Sequence, residues 1–158
     1  LHPHYHRRIK PLGLLWRGIG ELMARRDGCH VLMGSVSIPA ALSAESRSLI
    51  LSTLRAHTFH DALAARVEAR TPPDLPAVAP AKDLLDLNSR VRARDGRPLP
   101  VLLRKYARLG GRFFGFNVDH DFGDSIDALV WVDLRDTPVW ALEGYVGETV
   151  AARLQGRA

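Results

Sequence analysis

The sequence holds one cysteine, Cys29, in 158 residues. That excludes a disulfide within the chain and a thiolate cage for a metal, and it agrees with a reducing compartment. Long apolar runs are also missing. None approaches the roughly 20 residues that span a bilayer, and the opening LHPHYHRR has no apolar core of the kind a secretion signal carries. A cytoplasmic location is therefore expected. Acidic residues are the scarcer charge, 17 against 22 Lys and Arg, which leaves a net +5. The excess favours an anionic partner: nucleic acid, anionic lipid, a phosphorylated cofactor or an acidic carrier protein. Aromatic residues make up only 7% and do not interleave with the basic clusters HYHRRIK and RVRARDGR. Single-strand binders usually stack bases on such aromatics, so no nucleic-acid partner is expected.

What is present suits one ordinary α/β domain, with 46% hydrophobic residues for a core and 25% charged residues for a surface. Helical spacing of Leu12, Leu15, Trp16, Ile19, Leu22 and Met23 predicts a helix from about Pro11 to Arg26. The uncharged run 29–38 predicts a central strand buried on both faces. Ser43 is a good cap for a second helix to about His57. The four prolines between positions 70 and 80 predict an extended surface loop. Helices from Ala81 to Arg92 and from Pro100 to the Gly110-Gly111 stop should follow, then strands over 112–119 and 126–134 joined by a turn. A last amphipathic helix is expected over 138–154.

Two places carry chemistry. Arg7, Arg8, Lys10 and Gly13 lie in a basic turn opening into a helix, where unpaired first-turn amides and the helix dipole favour an anion. The plainer alternative is a basic terminus with no partner. Farther on, Asn117, Asp119 and Asp121 alternate along a strand and so share a face, with Asp127 just past the turn. Such a row suits an ammonium group, a general base or a hard cation; Asp121, Gly123 and Asp124 equally suit plain turn construction. Arg104 is placed either to meet a carboxylate or to cover the sheet. No metal site is expected, because His57-x-x-His60 lacks a third ligand in register, and no G-x-S-x-G elbow points to a hydrolase.

The segments HPHYHRRIKPLGLLWRGIGELM, GSVSI with its Ser-rich sequel, and PVLLRKYARLGGRFFGFNVDHDFGDSIDALVWVDL resemble the hemolysin-like family that includes the ornithine lipid synthase N-acyltransferases. The resemblance implies an acetyltransferase-like mixed sheet flanked by helices, of which this chain would be the C-terminal portion, lacking the N-terminal strands. It implies transfer of a long acyl chain from acyl carrier protein or acyl-coenzyme A to an amine such as the α-amino group of ornithine, near a membrane surface. Arg7, Arg8, Lys10 and Gly13 would grip the donor phosphate, Asn117 and Asp119 would serve catalysis, and Arg104 and Asp127 would bind the acceptor. Pro11 departs from the superfamily's turn by removing one amide donor. A sheet that begins at the GSVSI strand would bare an apolar edge, so either a homodimer or a truncated chain is expected. The alternative is a noncatalytic remnant that binds carrier protein or anionic lipid.

Overall fold

The most regular alternation in the chain runs through Ser125–Asp133, where Ile126, Ala128, Val130 and Val132 are buried and the residues between them half-buried. A period of two sends successive side chains to opposite faces, so one face packs on a core and the other is open. The computed structural model describes residues 9–26 and 28–157, with side chains from residue 13 onward. Its elements are α1 (Ile9–Ala24), β1 (Val31–Ile38), α2 (Ala44–Thr58), α3 (Asp61–Ala64), α4 (Leu84–Asp95), α5 (Val101–Arg108), β2 (Arg112–Asp119), β3 (Ser125–Asp133), α6 (Val139–Val146) and α7 (Glu148–Leu154).

The protein is α/β, and its three described strands lie in the order β1-β3-β2. β2 and β3 pair antiparallel, from Arg112 opposite Trp131 to Asp119 opposite Ser125. The Ser37 hydroxyl meets Asp127, and the Leu134 amide meets the His30 carbonyl, so β1 also runs antiparallel to β3. Among the described strands the sheet is thus antiparallel and not mixed; a lone parallel bridge joins Phe59 to Phe113. Among the described strands β1 lies at an edge instead of the centre, with Met33, Gly34 and Ser35 exposed. An uncharged run satisfies local preferences at an edge as well as in the middle, and only sheet order separates the two.

The chain divides into two compact units. In the unit spanning Met33–Val132, α2 packs on β2 and on α4. Ser43 caps α2, its hydroxyl accepting from the Ser46 amide at 3.2 Å. The Asp95 carboxylate accepts from the Ser43 amide at 3.2 Å and ties the end of α4 to the start of α2. Helix α4 starts at Leu84 and not at Ala81, because Asp83 is the better cap and accepts from the Asp86 amide at 2.8 Å. Ala81 itself anchors the end of the proline-rich stretch: its amide donates to the Thr53 hydroxyl at 2.9 Å, and its carbonyl lies 2.8 Å from His57 Nε2. Gly111 is fixed by crowding, since a Cβ there would stand 2.8 Å from the Tyr106 carbonyl oxygen.

The other unit holds α1, α6 and α7, packed on one another. Helix α1 begins at Ile9, before Pro11, since a proline in the first turn forgoes only an amide that has no helical acceptor. Of the expected stripe, Trp16 and Met23 are buried while Leu15 and Leu22 are exposed. Gly20 completes the buried row, and a Cβ there would lie 2.5 Å from Val146 Cγ1. Trp16 and Tyr145 meet at 5.2 Å between ring centroids. Gly147, at φ 89°, breaks the expected final helix into α6 and α7.

Two of the three glycines of α1 should respond oppositely. Gly20→Ala forces a methyl into the stiff, buried Val146 and should cost about 1–3 kcal/mol. Gly18→Ala meets open space and should gain about 0.5–1 kcal/mol from helix propensity. Urea midpoints of the two variants check both signs. Burial alone would raise the Asp95 carboxyl, but the Ser46 and Ser43 hydroxyls, the Ser43 amide and Arg94 outweigh it and hold it below the ordinary aspartate value. A depressed folded pKa gives stability that is present above the unfolded pKa and lost as pH falls through the folded one. Asp95→Ala should therefore destabilise the protein near neutral pH, and progressively less as the pH falls through the lowered carboxyl pKa, read as urea midpoints along the acid limb.

Candidate functional site

The open face of the sheet floors a pocket of about 490 Å³ in the Met33–Val132 unit. Ser35 comes from β1, Asp127 and Leu129 from β3, and Gly115 and Asn117 from β2. Residues 64–73 form a wall along the β2 edge, and Arg55 with Phe59 closes one end beside Phe114 and Phe116. The volume falls within the range of small-molecule sites, and the apolar walls with a few converging polar groups match their usual make-up.

Edge chemistry explains how the wall forms. The His60 amide donates to the Phe113 carbonyl at 2.8 Å, and the Arg112 guanidinium reaches the Phe59 carbonyl at 2.7 Å. Farther along, the Val118 amide donates to the Thr71 carbonyl at 2.8 Å, and the Thr71 amide donates to Asn117 Oδ1 at 2.8 Å. Pro72 and Pro73 follow, and without N–H groups they cannot extend the pairing as a regular strand. A register shift between Phe113 and Gly115 buries Phe113 and Phe114 in succession. Gly115 leaves room for the wall, since a Cβ there would come within 3.2 Å of Leu129 Cδ1 and 3.4 Å of Val67 Cγ2.

Asn117 stands directly opposite Asp127, whose Oδ1 accepts from the Ser37 hydroxyl at 2.6 Å. At the aromatic end, the Arg55 guanidinium lies 5.1 Å from the Phe116 ring centre, and Phe59 stacks on Phe116 at 6.1 Å. Glu68 and Arg70 add charges of both signs to the lining. An amide, carboxylates and guanidinium groups around an apolar cleft suit an amphiphile with a polar head.

The expected site residues scatter more widely. Arg7 and Arg8 lie outside the described residues, as does the side chain of Lys10. Gly13 lies inside α1 and not in a turn ahead of it, because the helix extends back past Pro11. It lines a separate pocket of about 290 Å³ with Leu14, Arg17, Gly144 and Tyr145, in the other unit. Asn117 and Asp127 come together in the 490 Å³ pocket. Asp119 does not line it: its carboxylate accepts from the Phe122 amide at 3.1 Å and closes the turn to β3. Asp121 is exposed in that turn, where His120 Nδ1 meets Asp124 at 2.6 Å. Arg104, half-buried on α5, also lies outside the pocket lining.

Sequence reasoning missed Arg55, Phe59 and the 64–73 wall. The wall's one local signal is the double proline after Thr71, which marks where pairing along an edge must stop. Among the described residues no three His, Cys, Asp or Glu side chains group as a metal would require, and no helix is long and apolar enough to cross a membrane. No protein-family model, curated protein or solved structure matches the chain.

Asn117→Ala should free the wall by removing the acceptor for the Thr71 amide, at a cost of about 1 kcal/mol, whereas Asn117→Asp keeps that acceptor. Hydrogen exchange at Thr71 and Val118 should speed up in the first variant only.

Proposed function

We propose that the protein is an N-acyltransferase of the hemolysin-like, acetyltransferase-related kind, moving a long acyl chain from acyl carrier protein or acyl-coenzyme A to an amine such as the α-amino group of ornithine. The observation that carries the proposal is the apolar pocket with Asn117 and Asp127 side by side on its floor. Acyl transfer to an amine requires a neutral nitrogen, an acceptor for its proton, and a slot that keeps water from the thioester. In this reading the amine attacks the thioester carbonyl, the nitrogen's proton passes to Asp127, the C–S bond breaks to release the thiolate, and Asp127 returns that proton to the departing sulfur. Asn117 orients the amine from the opposite strand. Leu129, Val67 and the phenylalanines hold the acyl chain, and Arg55 or Arg70 meets the acceptor's carboxylate. Arg7, Arg8 and Lys10 remain proposed phosphate contacts for the donor arm, and a cytoplasmic site at a membrane surface fits a lipid product.

A noncatalytic role in binding carrier protein or anionic lipid is the second reading. It is favoured by the commitment of two proposed catalytic residues to internal bonds, Asn117 with Thr71 and Asp119 with Phe122.

Incubation with long-chain acyl carrier protein and ornithine, followed by mass spectrometry of the lipid fraction, separates the two. The acyltransferase reading expects an acyl amide whose rate of formation falls about a hundredfold in Asp127→Asn, the usual scale for losing a general base. Donor binding without any amide product, unchanged by Asp127→Asn, would establish the second reading instead.

A further inference from the structure

The two edges of the sheet are unequal. β2 is covered by residues 59–73 through backbone and side-chain hydrogen bonds. β1 has no such cover among the described residues: Met33 is 69% exposed, and Gly34 and Ser35 are exposed beside it. Every second residue of an edge strand turns its N–H and C=O outward, and such a row is a template for another strand. Proteins usually guard a bare edge with lysine, proline or a bulge. VLMGSVSI, which makes up β1, has no charge and no proline.

We propose that β1 pairs antiparallel with β1 of a second copy of this chain, joining the two sheets across a two-fold axis near Ser35. Self-complementarity selects a second copy as the occupant. Pairing about Ser35 sets Met33 beside Ser37 and Leu32 beside Ile38, each in both directions, and brings no like charges together. The outward backbone groups, without partners among the described residues, gain them, and the exposed Met33 side chain is covered. Ser35 also lines the pocket, so the join falls at the pocket's rim.

Sedimentation velocity of the full chain over a range of concentrations tests the pairing, with two variants. Met33→Lys adds an edge-guarding charge at a side chain that is exposed in the single chain. It should weaken dimerisation by about tenfold or more without altering the circular dichroism spectrum. Ser35→Cys in a Cys29→Ser background should form an intermolecular disulfide on mild oxidation, because residues opposed at the axis fall within disulfide reach. A monomer at every concentration, a dimer indifferent to Met33→Lys, or a dimer that Ser35→Cys fails to cross-link would each overturn the proposal.

Discussion

Satisfaction of the β2 edge governs the rest of the Met33–Val132 unit. A three-stranded sheet has few interior hydrogen bonds relative to its edges, and an unpaired edge leaves polar backbone groups without protein partners. Here the chain returns after α2 and lays residues 59–73 along β2, clasped at one end by His60 and Arg112 and at the other by Thr71 and Asn117. That covering creates the pocket, because the same segment that satisfies the edge rises as a wall over the open face of the sheet. Structure and site thus share one set of hydrogen bonds, and Asn117 belongs to both.

This sharing sets the chemical character of the pocket. Its walls are apolar because the wall segment must pack Val67 against Gly115 and Leu129, and because Phe59 stacks on Phe116. The polar groups on its floor come from the strand positions that face away from the core, Ser35, Asn117 and Asp127, where alternation tolerates polar residues without burying them against helices, while Arg55, Glu68 and Arg70 add charges from α2 and the wall. An apolar slot floored by an amide and a carboxylate is the combination on which the acyl-transfer proposal rests.

Local signals made much of the fold legible. Ser43 announced α2 through its cap, Pro100 and Gly110-Gly111 bracketed α5, and the alternation through Ile126–Val132 marked β3. Boundaries slipped where two local preferences competed, as with Asp83 displacing Ala81 at the start of α4 and Gly147 dividing the last helix. Sheet order was not legible, because a run as uncharged as VLMGSVSI satisfies an edge or a centre equally, and the choice depends on pairings distant in sequence. Of the site, Asn117 was legible through strand alternation and Asp127 through its nearness past the turn. Asp119 lies beyond the pocket because its carboxylate closes the turn, and Arg55 and Phe59 carry no local mark of a site. They reach the pocket only through the fold of α2 over β2.

The central claim is that the walled cleft over β2 and β3 receives an acyl chain. The direct measurement is a titration of isotopically labelled protein with a long-chain acyl-pantetheine, following backbone amide resonances. The account predicts saturable shifts concentrated at Ser35, Val67, Gly115 and Leu129. Shifts confined to the α1, α6 and α7 unit, or none at saturating ligand, would contradict it.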